Sequence, residues 1–455
     1  MLTVHEAAES VDGRHIGDNP MIDSVSSDSR TIESGALFVA LRGERFDGHK
    51  YVEEAVNKGA VGAMVDTESN LPTPQIIVDD TEYALGQLAA GWRRRFDIPL
   101  VAITGSNGKT TVKEMIGNIL RANDNALISK GNFNNLVGLP LSLLKLRESH
   151  RYAAVEIGMN QVGEIERLAS IAQPSVAVIT NAGAAHLEFL VNIDQVATEK
   201  GKIISSLRDS GVAVLNADSS HYSAWRRTAG SHRVISFGFS SDADVSGTCT
   251  TLTFGSQISM KTPLGEFQVD LQLAGEHNVI NALAAAAASV ALGLTPSSIK
   301  TGLENMSAVA GRLQPRKHLK GGCLIDDTYN ANPNSVAAAL AFISKLNGDR
   351  RLVIGDMFEL GASGEELHRD VGRLARECGI GRLYALGTLS AAAAEEFGRG
   401  ATHYSDREML ISDLGSQLDE TTTVLIKGSR GMKMDEIADS ISMPANHYAK
   451  EVAEC

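Results

Sequence analysis

Short apolar runs recur along the chain and are separated by longer segments with helical periodicity. The first 85 residues contain three such runs, ALFVALRG (36–43), VGAMV (61–65) and QIIV (75–78). From Leu100 onward the runs are LVAIT (100–104), YAAVEIG (152–158), VAVIT (176–180) and VAVL (212–215). Continuous β-branched runs are typical of strands buried on both faces, so this alternation predicts a mostly parallel sheet covered by helices.

A second alternating series begins near Gly311. Its runs are CLIDD (323–327), RLVIG (351–355), RLYAL (382–386) and TTVLIKG (422–428), each followed by a loop rich in Gly, Asp or Asn. Between the two series, polar and apolar residues alternate over residues 245–269, which predicts a β-rich insert. The Ala-rich stretch 282–292 predicts a tightly packed helix.

Length and charge narrow the class of protein. A chain of 455 residues exceeds what one hydrophobic core usually serves, so several domains are expected. The formal net charge of -13 argues against nucleic acid polymers or an anionic membrane as the main partner, because both need clustered Lys and Arg.

The N-terminus carries Glu6 and Glu9 without a long apolar run, which is unlike a signal peptide, and stretch 282–292 is too short to span a bilayer. The four cysteines lie far apart and form no C-x-x-C pair. We therefore expect a cytoplasmic protein without membrane insertion.

The clearest motif follows the strand predicted at 100–104 and opens a predicted helix. It reads Thr104-Gly105-Ser106-Asn107-Gly108-Lys109-Thr110-Thr111. Glycines let backbone N–H groups wrap a phosphate, and the helix N-terminus adds partial positive charge. Lys109 would reach the β- and γ-phosphates of ATP, and the Thr110 hydroxyl would hold Mg²⁺. The strict G-x-x-x-x-G-K-[ST] pattern is not met, because its first glycine would fall at Ile103, and a GK turn also occurs as a plain helix cap. The strand before and the helix after it favour nucleotide binding.

With this motif in place, the predicted fold class is α/β with three domains. Residues 1–85 form a small α/β N-terminal domain, residues 86–310 a P-loop-type central parallel-sheet domain, and residues 311–455 a Rossmann-like C-terminal domain. In open α/β sheets, ligands collect outside the carboxyl ends of the strands.

Two further candidates lie at such strand ends. Glu156 ends the run YAAVE, and His186 follows VAVIT in the loop NAGAAHLE. A carboxylate and a neutral imidazole beside a triphosphate could complete one or two Mg²⁺ sites, although magnesium prefers oxygen ligands. The alternatives are a strand-end salt bridge for Glu156 and a loop hydrogen bond for His186.

Other positive side chains give no comparable signal. Lys200 and Lys202 lie on the helix after this loop, where exposure at the surface is the default. Arg93, Arg94 and Arg95 end a predicted helix shortly before Pro99. A solvated helix end accounts for this triplet, and we assign it no role in binding.

Several motifs occur in a fixed order that resembles a known family. They are TGSNGKTT, VEIGMN, NAGAAHLE, GEHNVINALAA, the pair Gly311-Arg312 and DDTYNANPNS. In this order they resemble the Mur ligase superfamily over essentially the whole chain. Residues 26–55 resemble the first domain of the two late-acting members, and GNFNNLVGLP (131–140) with DTYNANPNS (327–335) resembles the last of them. The member that adds the third residue typically carries a D-N-P-R signature, whereas the comparable region here reads NANPNS.

The resemblance implies an ATP-dependent, Mg²⁺-requiring ligase of cell-wall precursor synthesis. Its expected substrates are a UDP-MurNAc-tripeptide and D-Ala-D-Ala, joined through an acyl phosphate, and it is expected to act as a monomer. The resemblance assigns the catalytic centre to Lys109, Glu156, His186 and Lys200. Thr110 would hold the metal together with the last three. Lys200 corresponds to a lysine that is carbamylated in related ligases.

The resemblance also implies a role for each of the remaining motif residues. ATP would contact Gly105, Ser106, Asn107, Gly108, Lys109, Thr110, Thr111, Asn278, Asn281, Arg312 and Asp327. Asn278 and Asn281 lie three apart on one helix face, where amides can pair with the edge of adenine. The uridine diphosphate end of the substrate would contact Ser27, Asp28, Ser29, Arg30, Arg42 and Gly43. The peptide and dipeptide would lie near Asn134, Asn135, Tyr329, Asn330 and Asn332, with Lys427 and Arg430 reaching across the cleft.

Plainer alternatives remain for single residues and for the activity. Asn332-Pro333 is a common turn signal, a Gly-Arg pair at a domain junction can be a hinge, and an Asp after a strand can cap a helix. Rival activities within the superfamily are the ligase that adds the third residue and a folylpolyglutamate synthase. A rival of another class is a nucleotide-gated switch that hydrolyses ATP without ligation.

Overall fold

A computed structural model describes residues 1–43, 46–183 and 192–444. Three sheets of five, nine and six strands carry the fold over these ranges. Each sheet is built from one continuous part of the sequence, in the order that the alternating apolar runs predict. Within the described ranges, no helix combines the length and the apolarity that crossing a bilayer requires.

The N-terminal part is a five-stranded sheet of order β2-β9-β8-β5-β4, in which β4, β5, β8 and β9 are parallel. The 3₁₀ turn Gly48–Tyr51 precedes α2. The elements are β1 (Leu2–Thr3), α1 (Val4–Glu9), β2 (Arg14–Ile16), β3 (Met21–Ile22), β4 (Ser24–Ser26), β5 (Ala36–Val39), β6 (Arg42–Gly43), β7 (Phe46–Asp47), α2 (Val52–Asn57), β8 (Gly62–Val65), β9 (Gln75–Ile77) and α3 (Thr81–Arg94).

The end of α3 differs from the prediction. Arg94 and Arg95 are exposed, but Arg93 is fully buried. Its guanidinium donates to the carbonyls of Ala172, Phe96 and Ile98 at 3.1, 2.5 and 3.0 Å. Burial lowers the pKa of Arg93 to about 10, so it remains a cation. The prediction of a solvated triplet is therefore wrong for Arg93. This side chain connects α3 by hydrogen bonds to the segment that leads into the central sheet.

The central part is a nine-stranded sheet of order β11-β12-β10-β13-β14-β15-β16-β17-β18. It is parallel up to β16 and continues as the antiparallel strands β17 and β18. Strands β16, β17 and β18 together correspond to the predicted insert. The elements are β10 (Leu100–Thr104), α4 (Lys109–Arg121), β11 (Ala126–Ile128), α5 (Gly138–Leu143), β12 (Tyr152–Glu156), α6 (Glu164–Ala172), β13 (Val176–Ile179), α7 (Ile193–Gly201), β14 (Val212–Asn216), α8 (Tyr222–Thr228), β15 (Arg233–Gly238), β16 (Val245–Thr251), β17 (Ser256–Thr262), β18 (Gly265–Leu271), α9 (Glu276–Ala291) and α10 (Pro296–Glu304).

The C-terminal part is a six-stranded sheet of order β19-β20-β24-β21-β22-β23, in which only β19 is antiparallel to its neighbour. Its elements are β19 (Gln314–Lys317), β20 (Cys323–Asp327), α11 (Pro333–Ile343), β21 (Asp349–Gly355), α12 (Gly364–Glu377), β22 (Arg382–Leu386), α13 (Ala391–Phe397), β23 (Ala401–Tyr404), α14 (Arg407–Gln417), β24 (Thr422–Lys427) and α15 (Met434–Ile441).

Helices cover both faces of the central sheet and bury its strands. Strands β10, β12, β13 and β14 have almost wholly buried side chains, as their apolar composition predicts. The alanines of α9 between residues 282 and 288 are fully buried, since small side chains let this helix approach the sheet closely. The helices cover the faces of the sheet but not the carboxyl ends of β10, β12 and β13. The loops that follow these strands lie together at this edge.

Candidate active site

The loop between β10 and α4 has the backbone of a phosphate-binding turn. Gly105 and Gly108 have φ angles of +150° and +83°. A Cβ atom on Gly105 would collide with Thr180 Oγ1, and one on Gly108 with Asn281 Oδ1. Both positions therefore require glycine, for conformation and for space. Lys109 begins α4 directly after Gly108, so the helix N-terminus points into the turn.

Residues that follow β13 hold this loop in shape. Ser106 N–H donates to the Asn181 carbonyl at 3.1 Å, and Asn107 N–H donates to Asn181 Oδ1 at 2.9 Å. Thr180 Oγ1 donates to the Asn107 carbonyl at 2.6 Å. Asn181 was not singled out in the sequence, although its place directly after a parallel strand is the signal that could have identified it.

The ammonium group of Lys109 folds back onto the loop. Its Nζ donates to the Gly105 carbonyl at 2.7 Å. Burial is the largest influence on the pKa of Lys109 and lowers it, whereas the carboxylate of Glu156 raises it. The Lys109 side chain therefore lies within the turn, where a charged amine could bind a phosphate.

Thr110, Glu156 and Asn134 form a hydrogen-bonded cluster beside the loop. Thr110 Oγ1 donates to Glu156 Oε2 at 2.9 Å, and Asn134 Nδ2 donates to Glu156 Oε1 at 2.7 Å. Glu156 is 2% exposed and Thr110 is 5% exposed. A hydroxyl and a carboxylate oxygen at the first turn of the helix are the oxygen donors that Mg²⁺ prefers, so this pair fits the predicted metal. No group of three His, Cys, Asp or Glu side chains suited to a metal occurs within residues 1–43, 46–183 and 192–444.

Arg312 brings a second cation to the same point from the C-terminal part. Its Nη2 donates to Thr110 Oγ1 at 2.9 Å, and its guanidinium lies 4.2 Å from the centre of the Tyr329 ring. Arg312 Nε is buried and has no hydrogen-bond partner in the described part of the chain. The chain reaches this position through Gly311, whose φ is +69° and whose carbonyl accepts from Tyr329 N–H at 3.0 Å. A half-buried guanidinium with an unpaired Nε beside a phosphate-binding turn suits an anionic ligand.

These groups line one cleft of about 670 Å³ between the central and C-terminal sheets. Most of the predicted site residues share its wall: Ser106, Asn107, Gly108, Lys109, Thr110, Thr111, Asn134, Asn135, Glu156, Asn278, Asn281, Arg312, Asp327, Tyr329, Asn330, Asn332, Lys427 and Arg430. Residues far apart in sequence are thus brought together as the ordered motifs suggest. Their individual ligand contacts stay predictions.

Asp327 and Lys427 form a buried ion pair at the ends of β20 and β24. Lys427 Nζ lies 2.5 Å from Asp327 Oδ2 and 2.9 Å from the Asn330 carbonyl. Leu313 N–H donates to Asp327 Oδ1 at 3.1 Å. Lys427 is 2% exposed, so its charge neutralises Asp327 and is not presented to the cleft as a free cation. The ATP contact predicted for Asp327 would compete with these bonds.

Asn278 and Asn281 are buried on α9, beneath the phosphate loop. Asn281 Nδ2 donates to Asn278 Oδ1 at 3.3 Å, and Asn278 Nδ2 donates to the Ala274 carbonyl at 2.8 Å. Both side chains are less than 8% exposed. Asn281 thus packs against Gly108. The adenine contact predicted for Asn278 and Asn281 stays a prediction.

Two predicted substrate residues accept hydrogen bonds from backbone N–H groups at the start of a helix, and Asn332 is the N-cap of α11. Asn135 Oδ1 accepts from Gly138 N–H at 2.8 Å at the start of α5. Asn332 Oδ1 accepts from Ser335 N–H at 2.9 Å at the start of α11, as its turn signal suggested. The Asn332 amide also donates to Asn107 Oδ1 at 2.8 Å. Its side chain therefore joins the C-terminal part to the phosphate loop.

Lys200 is 1% exposed at the end of α7, so the expectation of surface exposure is wrong. Burial lowers the pKa of Lys200 well below its usual value, and the nearby charge of Lys109 lowers it further. This environment favours the neutral amine. His186 lies outside the described residues.

The predicted uridine diphosphate residues lie in the N-terminal part and not in the cleft. Ser27, Asp28, Ser29 and Arg30 follow β4, and Arg42 and Gly43 follow β5, at the carboxyl edge of neighbouring parallel strands. Arg30 donates twice to the Asp28 carboxylate, at 2.9 and 2.8 Å, and these bonds hold the pKa of Asp28 at about 2. Arg42 is paired likewise with Asp66 at 2.6 and 2.9 Å. Two arginines at the same edge of the N-terminal sheet could bind the two phosphate groups of a diphosphate.

The cleft wall also contains residues that the sequence reasoning missed. They include Asn160 and Asn181 after β12 and β13, His277 at the start of α9, and Phe358 and Glu359 after β21. Burial lowers the pKa of His277, which favours its neutral form. Except for His277, all follow a parallel strand, so that strand-end position was the available signal.

Comparison with known proteins places most of the chain in one family. Residues 21–93 match the Mur ligase family catalytic domain, residues 103–289 the Mur ligase middle domain, and residues 311–430 the Mur ligase glutamate ligase domain. The UDP-N-acetylmuramoyl-tripeptide–D-alanyl-D-alanine ligase of Escherichia coli (strain K12) is 40% identical over 444 residues, covering 97% of this chain and 98% of the relative. The ligase of the same name from Bacillus subtilis (strain 168) is 34% identical, covering 97% of this chain and 99% of the relative.

Solved structures agree with this result. MurF from Acinetobacter baumannii superposes with a TM-score of 0.90 at 36% identity, covering 96% of this chain and 98% of that chain. MurF ligase from Thermotoga maritima, in complex with ADP, superposes with a TM-score of 0.82 at 26% identity, covering 92% of this chain and 96% of that chain. The likeness thus extends over all three sheets and not over the nucleotide-binding part alone.

Proposed function

The chain belongs to the Mur ligase family, and from this premise we propose that it joins a UDP-N-acetylmuramoyl-tripeptide to D-alanyl-D-alanine at the expense of ATP. The observation that carries the proposal is the single cleft in which the phosphate loop meets Arg312 and Tyr329. The relatives that cover almost the whole chain bear the name of this reaction. The nucleotide-gated switch is disfavoured by the same comparison.

The reaction must overcome the mutual repulsion of two anions. A carboxylate oxygen of the tripeptide attacks the γ-phosphorus of ATP, the bond from that phosphorus to the bridging oxygen breaks, and ADP leaves. The amine of the dipeptide then attacks the acyl carbon, phosphate leaves, and the nitrogen loses its proton. Lys109, the N–H groups at the start of α4 and Arg312 supply positive charge at the point where the two anions approach.

We assign Mg²⁺ binding to Thr110 and Glu156, whose oxygens already lie together at the start of α4. Magnesium held there would neutralise charge on the triphosphate as a Lewis acid. Asn134 orients the carboxylate of Glu156 by donating to its other oxygen. Lys200 is proposed as a further metal-site residue through carbamylation, because its buried environment favours the neutral amine that reacts with carbon dioxide.

The nucleotide end of the precursor is proposed to bind the carboxyl edge of the N-terminal sheet. Arg30 and Arg42 lie there on neighbouring loops, and both are already oriented by carboxylates. The peptide end would then extend to the cleft. We further propose that the three parts are the N-terminal, central and C-terminal domains 1–85, 86–310 and 311–455, and that the enzyme acts as a monomer in the cytoplasm.

Phosphate release with defined substrates tests this function. The wild type, given ATP and Mg²⁺, should release phosphate only when both D-Ala-D-Ala and a UDP-MurNAc-tripeptide are present. Running the tripeptide nucleotide with meso-diaminopimelate and with L-lysine in separate reactions identifies the natural third residue. Release without either substrate would instead indicate a switch.

A variant of the phosphate loop tests the site. Lys109→Ala should abolish turnover and leave the fold intact, because the side chain only bonds loop carbonyls in the folded protein. Lys130→Ala, at an exposed lysine, is the matched control. Near-normal ligation by Lys109→Ala would show that the assigned phosphate role is wrong.

A further inference from the structure

The hairpin formed by β16 and β17 reaches from the central part to the C-terminal part. Thr251 and Ser256 pair at its end, and Leu252 N–H donates to the Gly255 carbonyl at 2.9 Å to close the turn. Phe254, within this turn, packs against the apolar core of the C-terminal part. The Phe254 ring is not among the residues that line the cleft, so any effect on the reaction must pass through other residues.

Phe254 meets a residue of α11 edge to face. Its ring centre lies 6.3 Å from that of Phe342, and the two ring planes are inclined at 67°. Phe342 is 7% exposed and belongs to the core of the C-terminal part. Such aromatic pairs stabilise a contact beyond the apolar area that they bury. Phe254 therefore anchors the central part in the core of the C-terminal part.

The rest of the turn stands away from α11. A cavity of about 650 Å³ separates the two and is lined by the hairpin residues Leu252 and Thr253 and, opposite them, by Phe342 and Lys345. Leu252 is 52% exposed. Lys345 lies 4.0 Å from Glu276 of α9, but both side chains are more than half exposed, so this ion pair contributes little. The Phe254 ring is thus the main contact between the hairpin and α11.

The base of the hairpin is fixed to the central part. Ser256 is fully buried, and its Oγ donates to the Leu273 carbonyl at 3.2 Å. The next residue, Ala274, accepts from the side-chain amide of Asn278 on α9 at 2.8 Å. Strands β16 and β17 are paired along their length up to the turn. The hairpin is therefore a stiff arm that places Phe254 at a fixed distance from α9.

Helix α11 is held to the central part at two separate points. At its start, Asn332 donates to Asn107 of the phosphate loop, and three turns later Phe342 meets Phe254. Asn332 and Phe342 are ten positions apart, which corresponds to about 15 Å along the helix axis. In the described ranges the chain passes from the central to the C-terminal sheet once, so non-covalent contacts must set the orientation of α11. A helix held at both points cannot pivot about either.

We propose that Phe254 is a positioning residue for ATP binding: it anchors α11 to the hairpin and thereby holds Asn332 against the phosphate loop. The inference rests on the proposed function, because it takes the phosphate loop to bind ATP. Without the ring, α11 can pivot about its start, and the pairing of Asn332 with Asn107 must be ordered when the nucleotide binds. This ordering lowers the affinity for the nucleotide, although Phe254 does not line the cleft.

Calorimetric titration with ADP and Mg²⁺ measures this effect. Phe254→Ala should raise the Kd for ADP about three- to tenfold, the range expected for loss of an aromatic pair. Leu252→Ala truncates an exposed apolar side chain of the same turn, so it is the matched control and should leave the Kd unchanged. Phe254→Leu keeps an apolar side chain and should recover part of the affinity. An unchanged Kd in Phe254→Ala, whatever its melting temperature, overturns the proposal.

A double substitution shows whether the ring acts through α11. Asn107→Ala removes the amide contact that the anchor holds in place. Phe254→Ala should therefore raise the Kd for ADP by a smaller factor in the Asn107→Ala background than in the wild type. A purely structural role of Phe254 would make the two factors multiply in full, and that result would show the assignment to α11 to be wrong.

A variant of the partner ring keeps the test independent of how Phe254→Ala folds. Phe342→Leu leaves the core of the C-terminal part filled but removes the ring that Phe254 meets, so it should also raise the Kd for ADP. If the wild type binds no ADP in the presence of Mg²⁺, the proposed function has failed. If it binds ADP with the same Kd as the variants at positions 254 and 342, only the anchor has failed.

Discussion

The side-chain amides of Asn107 and Asn332 pair across the cleft, 225 positions apart in sequence. Asn332 Nδ2 donates to Asn107 Oδ1 at 2.8 Å, and Asn107 Nδ2 donates to Asn332 Oδ1 at 3.5 Å. One residue lies in the phosphate loop and the other caps α11 of the C-terminal part. The amide pair therefore joins the phosphate loop directly to the C-terminal part of the proposed ATP site.

Removing this amide pair should weaken productive closure. Asn107→Ala is expected to lower kcat/KM for ATP about two- to tenfold, the range of one lost net hydrogen bond, with little change in melting temperature. Asn332→Ala should show the same kinetic loss and also lose about 1 kcal/mol of stability, because the cap of α11 disappears. Asn332→Asp keeps the acceptor for Ser335 N–H but has no amide to donate to Asn107. It therefore separates the kinetic effect of the amide pair from the loss of the helix cap. Equal kinetics in Asn107→Ala and the wild type would show that the pair is only structural.

Neutralising Glu156 should affect magnesium more than folding. Glu156→Gln preserves the shape of the side chain and one oxygen for Thr110, but removes the negative charge of the proposed metal ligand. We expect kcat to fall about 100-fold or more, as for loss of a key electrostatic group, and the Mg²⁺ concentration for half-maximal activity to rise. Activity and Mg²⁺-dependent ATP binding by calorimetry measure the two effects. Glu166→Gln, at an exposed glutamate of α6, is the control, and an unaltered Mg²⁺ dependence in Glu156→Gln would exclude the metal role.

Lys113 should act as a positioning residue for the same carboxylate. It is fully buried on α4, and its Nζ donates to the carbonyls of Ser129 and Gly131 at 2.7 and 3.2 Å. Ser129 Oγ in turn accepts from Glu156 N–H at 3.3 Å. Lys113→Met removes the ammonium group and keeps the aliphatic part of the side chain. The Mg²⁺ concentration for half-maximal activity should therefore rise, while the KM for D-Ala-D-Ala stays unchanged.

Two comparisons control this prediction. Lys130→Met alters an exposed lysine between Ser129 and Gly131, the two residues that accept from Lys113, and should behave as the wild type. Lys113→Arg retains a cation and should recover part of the Mg²⁺ affinity. A uniform loss of kcat in Lys113→Met with an unshifted Mg²⁺ titration would mean that the residue supports only the fold.

Acid should destabilise the fold through buried histidines, His368 among them. Its Nδ1 bonds the Gly364 carbonyl at 2.6 Å and its Nε2 accepts from Met357 N–H at 2.9 Å, which requires the neutral ring. Burial lowers the pKa of His368, so as the pH falls below about 6.5 the unfolded chain takes up a proton first. Stability is therefore complete above that pH and is lost as the pH falls toward the lower pKa of the folded state.

Urea unfolding measures this effect. The midpoint for the wild type should be lower at pH 5.5 than at pH 7.5. His368→Gln should be less stable at pH 7.5 but lose less on acidification. The remaining loss should come from the other histidines whose pKa values burial lowers, among them His150, His277 and His318. His5→Gln, at an exposed position on α1, should reproduce the wild-type pH dependence. An unchanged pH dependence in His368→Gln would contradict the assignment to this ring.

The local pattern of apolar and polar residues was sufficient to predict much of the fold. The strands at 100–104, 323–327 and 382–386 occur as their apolar runs predict, and the α/β class follows from their alternation with helices. The phosphate loop was recognisable because its glycines, its lysine and the following helix are neighbours in sequence. Such features depend on interactions over a few residues, which composition and periodicity report directly.

The roles of single polar residues depended on contacts that sequence position does not encode. Lys200 is buried because α7 turns it inward, and Arg93 is buried because three carbonyls from two segments accept its bonds. Asn332 contacts the phosphate loop only because β20 and α11 bring it to Asn107. The sequence by itself therefore determined the elements and the chemistry of the phosphate loop, through local propensity and spacing. The tertiary structure alone decided which distant side chains complete the site, since close packing and the pairing of buried polar groups join residues hundreds of positions apart.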